Sequence, residues 1–317
     1  MEQTAAHEAL KSMIAAGSAT SAAAGPVDPA NVGKLREVWN AGAGNGGGEA
    51  WRARISSFFC PSDSGRSVQP PEAPGPTNLR VSTGELAYRG GSAVGEHYTH
   101  RGLFGGGQDG AVTNGVVAAA LVTYAGRRVG LETIQDGTSN TIMISERLIG
   151  GADDTNSKIG AGLQSGVFDG TGDTANLTNP RECLNLPVNR QIPTNKICTA
   201  FRPTGRGYSY ATNGSGVAWG DGAPWSISFQ TILPPNAPAC TTSQSNVINS
   251  RALIPPTSSH TGGVNAVAAD ASGRFITDSV DTGDLTTARL PAVTGSSPYG
   301  VWGAYGTTRG GESKGLP

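Results

Sequence analysis

Nowhere does the chain offer the run of about 18 apolar residues that a membrane-crossing helix needs, so no membrane span is expected within it. Charge of one sign is missing too. Lys and Arg number 23 against 24 Asp and Glu, and charged residues are only 15% of the sequence. Without a basic stripe the electrostatic footprint of a nucleic-acid binder is absent. The basic-then-apolar pattern of a signal peptide is also missing from the N-terminus. Residues 1–24 would then stand in place of a removed export or anchor segment.

The signatures of common chemistries are absent as well. There is no HExxH zinc-protease helix, no GxSxG nucleophile elbow, no GxxxxGK[ST] phosphate loop and no CxxC pair. Histidine is scarce: His7, His97, His100 and His260 are all there are, and a catalytic scheme must use them or do without.

Glycine and proline, by contrast, are plentiful at 47 and 20 residues. Ser, Thr and Asn crowd the same stretches, which favours short strands joined by turns. An Ala-rich helix is predicted over residues 2–23 and a shorter one over 31–40, before a flexible Gly run at 42–48. The globular part is expected from residue 51 to 317, with residues 1–50 as helix and linker. Strands are predicted at 116–124, at 141–145 with Ile142 and Ile144 on one face, and at 226–233 with Ile227, Phe229 and Thr231 alternating. Residues 264–269 and 274–277 flank Asp270-Ala271-Ser272-Gly273, the turn of a predicted hairpin. Residues 160–195 look like an excursion from the main sheet.

The four cysteines are Cys60, Cys183, Cys198 and Cys240. Two disulfides fit them better than a metal site does. Cys183 and Cys198 lie 15 apart in a Pro- and Asn-rich stretch, so a local staple is the natural pairing and leaves Cys60 for Cys240. Four cysteines allow three connectivities, and four buried thiols of a cytosolic protein are the alternative.

Each candidate site has a plainer reading beside it. His97 and His100 form HxxH next to Glu96, two or three ligands with no second cluster, and an exposed polar loop accounts for them. Ser258, His260 and Asp270 suggest a Ser-His-Asp set, yet the oxyanion donors are unidentified; His260 at the hairpin entry and Asp270 in its turn is the simpler account. Residues 169–173, Asp-Gly-Thr-Gly-Asp, are spaced like part of a calcium loop but lack the closing Glu, so a turn is expected and calcium is the one cation considered. No cofactor and no metal ligand set is otherwise expected. Trp219, Trp225 and Trp302 are expected in the core, a glycan-binding platform being the alternative.

Several phrases occur in a fixed order. They are Phe59-Cys60-Pro61-Ser62-Asp63; Asp136-Gly137-Thr138-Ser139-Asn140-Thr141-Ile142 with Ser145-Glu146-Arg147; Leu233-Pro234-Pro235-Asn236 with Pro238 and Cys240; Ser258-Ser259-His260-Thr261-Gly262-Gly263-Val264-Asn265 with Asp270; and Arg309-Gly310-Gly311-Glu312. Together they resemble the large prepilin-like family known as domain of unknown function 1559, whose C-terminal signature is His, nine residues, then Asp-Gly. Two departures stand out: the family's leader and long apolar helix are missing, and Ala271 follows Asp270 where Gly is expected.

The motif residues read as structural. The Asp136 to Asn140 phrase should turn into the strand at 141–145, with Glu146 and Arg147 pairing beyond it, and Pro234-Pro235-Asn236 should end a strand in an extended segment that carries Cys240 toward Cys60. The expected fold is mainly β (α+β). An N-terminal helix precedes what the resemblance implies is a pilin-like antiparallel sheet, elaborated with inserted β-structure and long loops. The expected function is a non-catalytic, extracytoplasmic, pilin-like or pseudopilin-like structural subunit that associates with itself or with other surface subunits. A carbohydrate- or ligand-binding surface module is the alternative.

Overall fold

The computed structural model describes residues 53–63, 75–85, 101–104, 130–149, 161–162, 165–170, 176–185, 202–204, 207–209, 219, 227–242, 251–287 and 295–311. The predicted helices at 2–23 and 31–40, the Gly run and the strand at 116–124 lie outside them. Among the described residues the chain is mainly β. Its strands are β1 (Leu79–Ser82), β2 (Ile142–Glu146), β3 (Ala161–Gly162), β4 (Phe168–Asp169), β5 (Asn176–Leu177), β6 (Arg202–Thr204), β7 (Gly207–Ser209), β8 (Ser228–Phe229), β9 (Ala239–Thr241), β10 (Ala252–Leu253), β11 (Gly263–Ala268) and β12 (Gly273–Thr277). One short helix, α1 (Gly300–Tyr305), follows.

Five strands form the main sheet in the order β12-β11-β2-β1-β8. The first four pair antiparallel, whereas β8 runs parallel to β1 through Val81↔Ser228 and Ser82↔Phe229. Alternation along β11 explains which face is buried: Val264, Ala266 and Ala268 are buried while Asn265 is exposed. Val264 and Ala266 meet Ile142, Phe229 and Ile276, and α1 closes over them with Trp302 and Tyr305. Trp302 is fully buried, stacks on Phe229 at 6.4 Å and donates its indole N–H to the Leu233 carbonyl at 2.9 Å, which removes the cost of burying that polar group.

A second core lies around the three-stranded sheet β10-β9-β3. Val167, Leu177, Ile232, Leu233, Leu253, Leu285 and Tyr299 pack there with Cys183 and Cys240, which are joined in a disulfide. Tyr299's hydroxyl is pushed up in pKa, first by burial and then by the carboxylates of Glu85 and Asp284.

The bond between Cys183 and Cys240 corrects the pairing read from the sequence. Cys60 is in no disulfide, and Cys198 lies outside the described residues. Pro234-Pro235-Asn236 turns instead of running extended: Ala237 N–H donates to the Pro234 carbonyl at 3.2 Å and Asn236 takes φ 61°. That reversal delivers Cys240 to Cys183, away from Cys60.

The segment 226–233 also departs from its predicted strand. Only Ser228–Phe229 pairs with β1. Gln230 then diverts the chain: its N–H donates to Ile254 O at 2.9 Å, its Nε2 donates to Ala252 O at 3.4 Å, and its Oε1 accepts the Ile254 N–H at 2.5 Å. A side chain that bonds a neighbouring segment from both ends overrides the alternation of apolar residues around it.

The hairpin of β11 and β12 is present, with Val267 opposite Gly273. Ala271 sits in its turn at φ 67°, a left-handed conformation that costs an L-residue about 1–2 kcal/mol. Alanine therefore occupies the conformation that glycine takes without strain. Ala271→Gly is expected to stabilise the protein by about 0.5–1 kcal/mol, the gain being reduced by glycine's larger unfolded-state entropy. It should appear as a higher urea midpoint at unchanged slope.

Candidate functional site

Residues 60–63 turn tightly, with the Asp63 N–H donating to the Cys60 carbonyl at 3.1 Å. Asp63 is buried, and its Oδ2 accepts from Asn78 Nδ2 at 2.6 Å and from the Ile149 N–H at 2.8 Å. Asn78, just ahead of β1, is the hub. Its Oδ1 accepts the Cys60 N–H at 2.8 Å, its Nδ2 also donates to Arg147 O at 3.0 Å, and its own carbonyl accepts the Arg147 N–H at 2.8 Å.

Two buried arginines flank this knot. Arg147 donates from Nη1 to Pro255 O at 2.6 Å. The Arg80 guanidinium is driven well below its usual pKa, chiefly by burial and next by the positive Arg147, with the Asp63 carboxylate opposing both.

At the end of β2, Glu146 and Arg147 diverge, because successive strand side chains point to opposite faces. They do not form the pair expected from the sequence. Glu146 Oε1 accepts the Asn265 N–H at 2.6 Å, which leaves Oε2 3.4 Å from His260 Nε2.

His260 is positioned by its own loop. Its N–H donates to Ser258 Oγ at 3.1 Å, Ser258 Oγ donates to Gly263 O at 2.7 Å, and the Ser258 N–H donates to Asn236 Oδ1 at 2.8 Å. Asn236 Nδ2 donates to Asp278 Oδ1 at 2.7 Å and to Gly263 O at 3.3 Å, so the Pro-Pro-Asn turn clips the histidine loop in place.

Cys60 Sγ reaches the same Nε2 at 3.7 Å. Sulfur, nitrogen and oxygen donors from Cys60, His260 and Glu146 thus lie within 4.8 Å of one another, the one such grouping among the described residues. A nucleophile–base–acid relay engages opposite nitrogens of the imidazole. Here thiol and carboxylate meet one nitrogen, an arrangement suited to sharing a proton or a cation.

The ordered phrases of the sequence supply Cys60, Asp63, Glu146, Arg147, Asn236, His260 and Asn265 to this site. The family described as a protein of unknown function, DUF1559, matches residues 7–283, most of the chain. The chain belongs to DUF1559. Comparison with curated proteins gives no match, and comparison with solved structures gives none either.

In this DUF1559 member the remaining motif residues tie the chain to itself. Asp136 receives the C-terminal segment, its carboxylate accepting from Thr307 Oγ1 at 2.9 Å, the Gly310 N–H at 2.6 Å and the Gly311 N–H at 2.8 Å. Gly137, at φ 93°, opens the 3-10 turn Thr138–Asn140, which contains Ser139, and Asn140 Nδ2 donates back to Asp136 O at 3.3 Å. Asp270 is exposed and lowered in pKa, mainly by hydrogen bonds from Ser272. Ser258 Oγ donates to Gly263 O and Asp270 Oδ1 accepts the Ser272 N–H at 2.9 Å, the turn-building roles of the simpler account.

Asp169 Oδ1 accepts the Asn176 N–H at 2.7 Å across the small hairpin of β4 and β5; residues 171–173 of the calcium candidate lie outside the described residues. So do Glu96, His97, His100, Trp225 and Glu312. Trp219 donates its indole N–H to Ala53 O at 2.9 Å and packs edge-on against Phe58 at 6.2 Å. Trp302 is buried and Trp219 is half-buried.

Sequence reasoning passed over Asn78, which stands in no recognisable phrase, and the Glu85–Arg101 ion pair, which is buried at 0% and 1% side-chain exposure. Each charge adjoins a glycine. Gly84 and Gly102 cross so closely that a Cβ on either would fall within the other's backbone. The signal, a Gly-Glu and an Arg-Gly step, is too common to be read in advance.

Proposed function

We propose that the chain is a non-catalytic, extracytoplasmic structural subunit, pilin-like or pseudopilin-like in role, of a surface or filamentous assembly. The observation that carries this reading is how the motif residues are occupied: Asp63, Asp136, Arg147 and Asn236, joined by Asn78, direct their polar atoms to backbone groups elsewhere along the chain, as a scaffold requires. The Cys183–Cys240 disulfide supports residence in an oxidising compartment.

Self-association would use the edge of the main sheet. Among the described residues β12 pairs only with β11, and it carries Phe275 at 51% exposure, an open edge of the kind that a second strand extends. Electron microscopy of the protein recovered from the cell surface or culture medium tests the reading. Regular filaments or sheets are expected, and Phe275→Lys should reduce them; dispersed monomers at every concentration would overturn the proposal.

A further inference from the structure

We propose that Cys60, Glu146 and His260 form a binding site for a zinc-type divalent cation. The donor spacing is the primary observation. With zinc bonds of about 2.3 Å to sulfur and 2.0–2.1 Å to nitrogen or oxygen, tetrahedral angles put sulfur and nitrogen about 3.6 Å apart and nitrogen and oxygen about 3.3 Å apart. The observed separations are 3.7 Å from Cys60 Sγ to His260 Nε2 and 3.4 Å from that nitrogen to Glu146 Oε2, with all three donors inside 4.8 Å. Two of the three donor separations match the edges of a zinc tetrahedron, and the third pair lies within 4.8 Å.

A hydrogen-bond reading accounts for the same contacts less completely. One proton on Nε2 serves the carboxylate and leaves the sulfur as second acceptor of a shared bond. A cation in place of that proton engages all three donors at once. Thiolate and carboxylate, with neutral imidazole, balance a doubly charged ion, and the thiolate selects a borderline cation such as Zn2+ over Mg2+ or Ca2+.

The second independent observation is the shell behind the donors. Glu146 is aimed by the Asn265 N–H, Cys60 is held through its N–H by Asn78, which Asp63 in turn holds, and the His260 loop is braced by Ser258 and Asn236. The Glu146 carboxylate is oriented directly, as metal ligands are, while Cys60 and His260 are fixed through their backbones. His260 retains 32% side-chain exposure and Glu146 10%, which leaves the site open to an ion and to the water a four-coordinate ion would take. The three donors come from one chain and cross-link segments up to 200 residues apart, so the site stands independently of the assembly role.

The test is Co2+ titration of the full chain, stripped by a chelator under non-reducing conditions so that the Cys183–Cys240 bond persists. One equivalent is expected to give the visible absorption of tetrahedral cobalt and a thiolate-to-cobalt charge-transfer band, both erased by Zn2+. Cys60→Ser should abolish the charge-transfer band, His260→Ala should weaken binding by roughly tenfold or more, the lower end of what supporting residues alone contribute, and Cys198→Ser should change nothing. Absence of the band from the wild-type chain, its persistence in Cys60→Ser, or its loss in Cys198→Ser would overturn the proposal. The wild-type and Cys198→Ser arms decide the matter even if another variant misfolds.

Discussion

Cys183→Ala is expected to lower stability by about 4 kcal/mol, the chain-entropy cost of releasing a loop whose ends lie 57 residues apart. For a chain of this size that is a fall of roughly 6 °C in melting temperature. Both sulfurs are fully buried among Val167, Leu177, Ile232, Leu233 and Leu253, so the lost cross-link lies inside a packed core. Cys240→Ala should match it closely, and the double variant should cost little more than either single one, because each removes the same bond. Cys198→Ser is the control: it leaves the melting temperature unchanged if Cys183 is bonded to Cys240, and lowers it if Cys183 is bonded to Cys198. Peptide mapping without reductant gives the same answer independently. A shift below about 1 kcal/mol in Cys183→Ala would mean that the bond does not form.

The second large effect is expected at Glu85 and Arg101. Their side chains are almost wholly enclosed, Arg101 Nη2 also donates to the Gly295 carbonyl, and Ser297 Oγ donates to the carboxylate of Glu85. Glu85→Leu removes the counter-charge and strands a guanidinium in the interior, at a cost of about 3–5 kcal/mol. Arg101→Met leaves a buried carboxylate and should be comparably harmful. Replacing both, Glu85→Leu with Arg101→Met, should recover most of the loss, since an apolar pair of similar volume often equals a buried ion pair. Urea denaturation of the four proteins in this cycle measures the coupling. If the double variant were as unstable as the sum of the singles, the Gly84–Gly102 crossing, and not the charges, would be what the site depends on.

The fold was legible where local chemistry decides it. Turn-forming residues between β-branched runs located the hairpin of β11 and β12 to within a residue, and Ile142 with its neighbours marked β2. The composition gave the mainly β class. What stayed hidden depended on contacts made at a distance. Spacing rewarded Cys183 with Cys198, but the turn at Asn236 sends Cys240 to Cys183 instead. Apolar alternation at 226–233 suggested one continuous strand, yet the bonds of Gln230 to residues 252–254 end it after Phe229. For the candidate site, every donor stands in a motif phrase, but Cys60, Glu146 and His260 sit in three different phrases. No short-range pattern records that a thiol, a carboxylate and an imidazole converge on one point.

The position of β2 has a consequence for how the chain comes into being. Its neighbours are β1, made before it, and β11, whose Asn265 carbonyl meets Ser145 Oγ across 120 residues of sequence. Whether the polypeptide leaves a ribosome or a secretion channel amino end first, β2 waits with one edge open until that distant partner appears. Closure of the sheet, the docking of α1 and the capping of Asp136 by residues 307–311 all wait for segments made well after β2. Large loop closures make such pairing slow. The main sheet is therefore expected to close only after residues 263–311 have emerged, and a chaperone that shields unpaired strands would act in that interval.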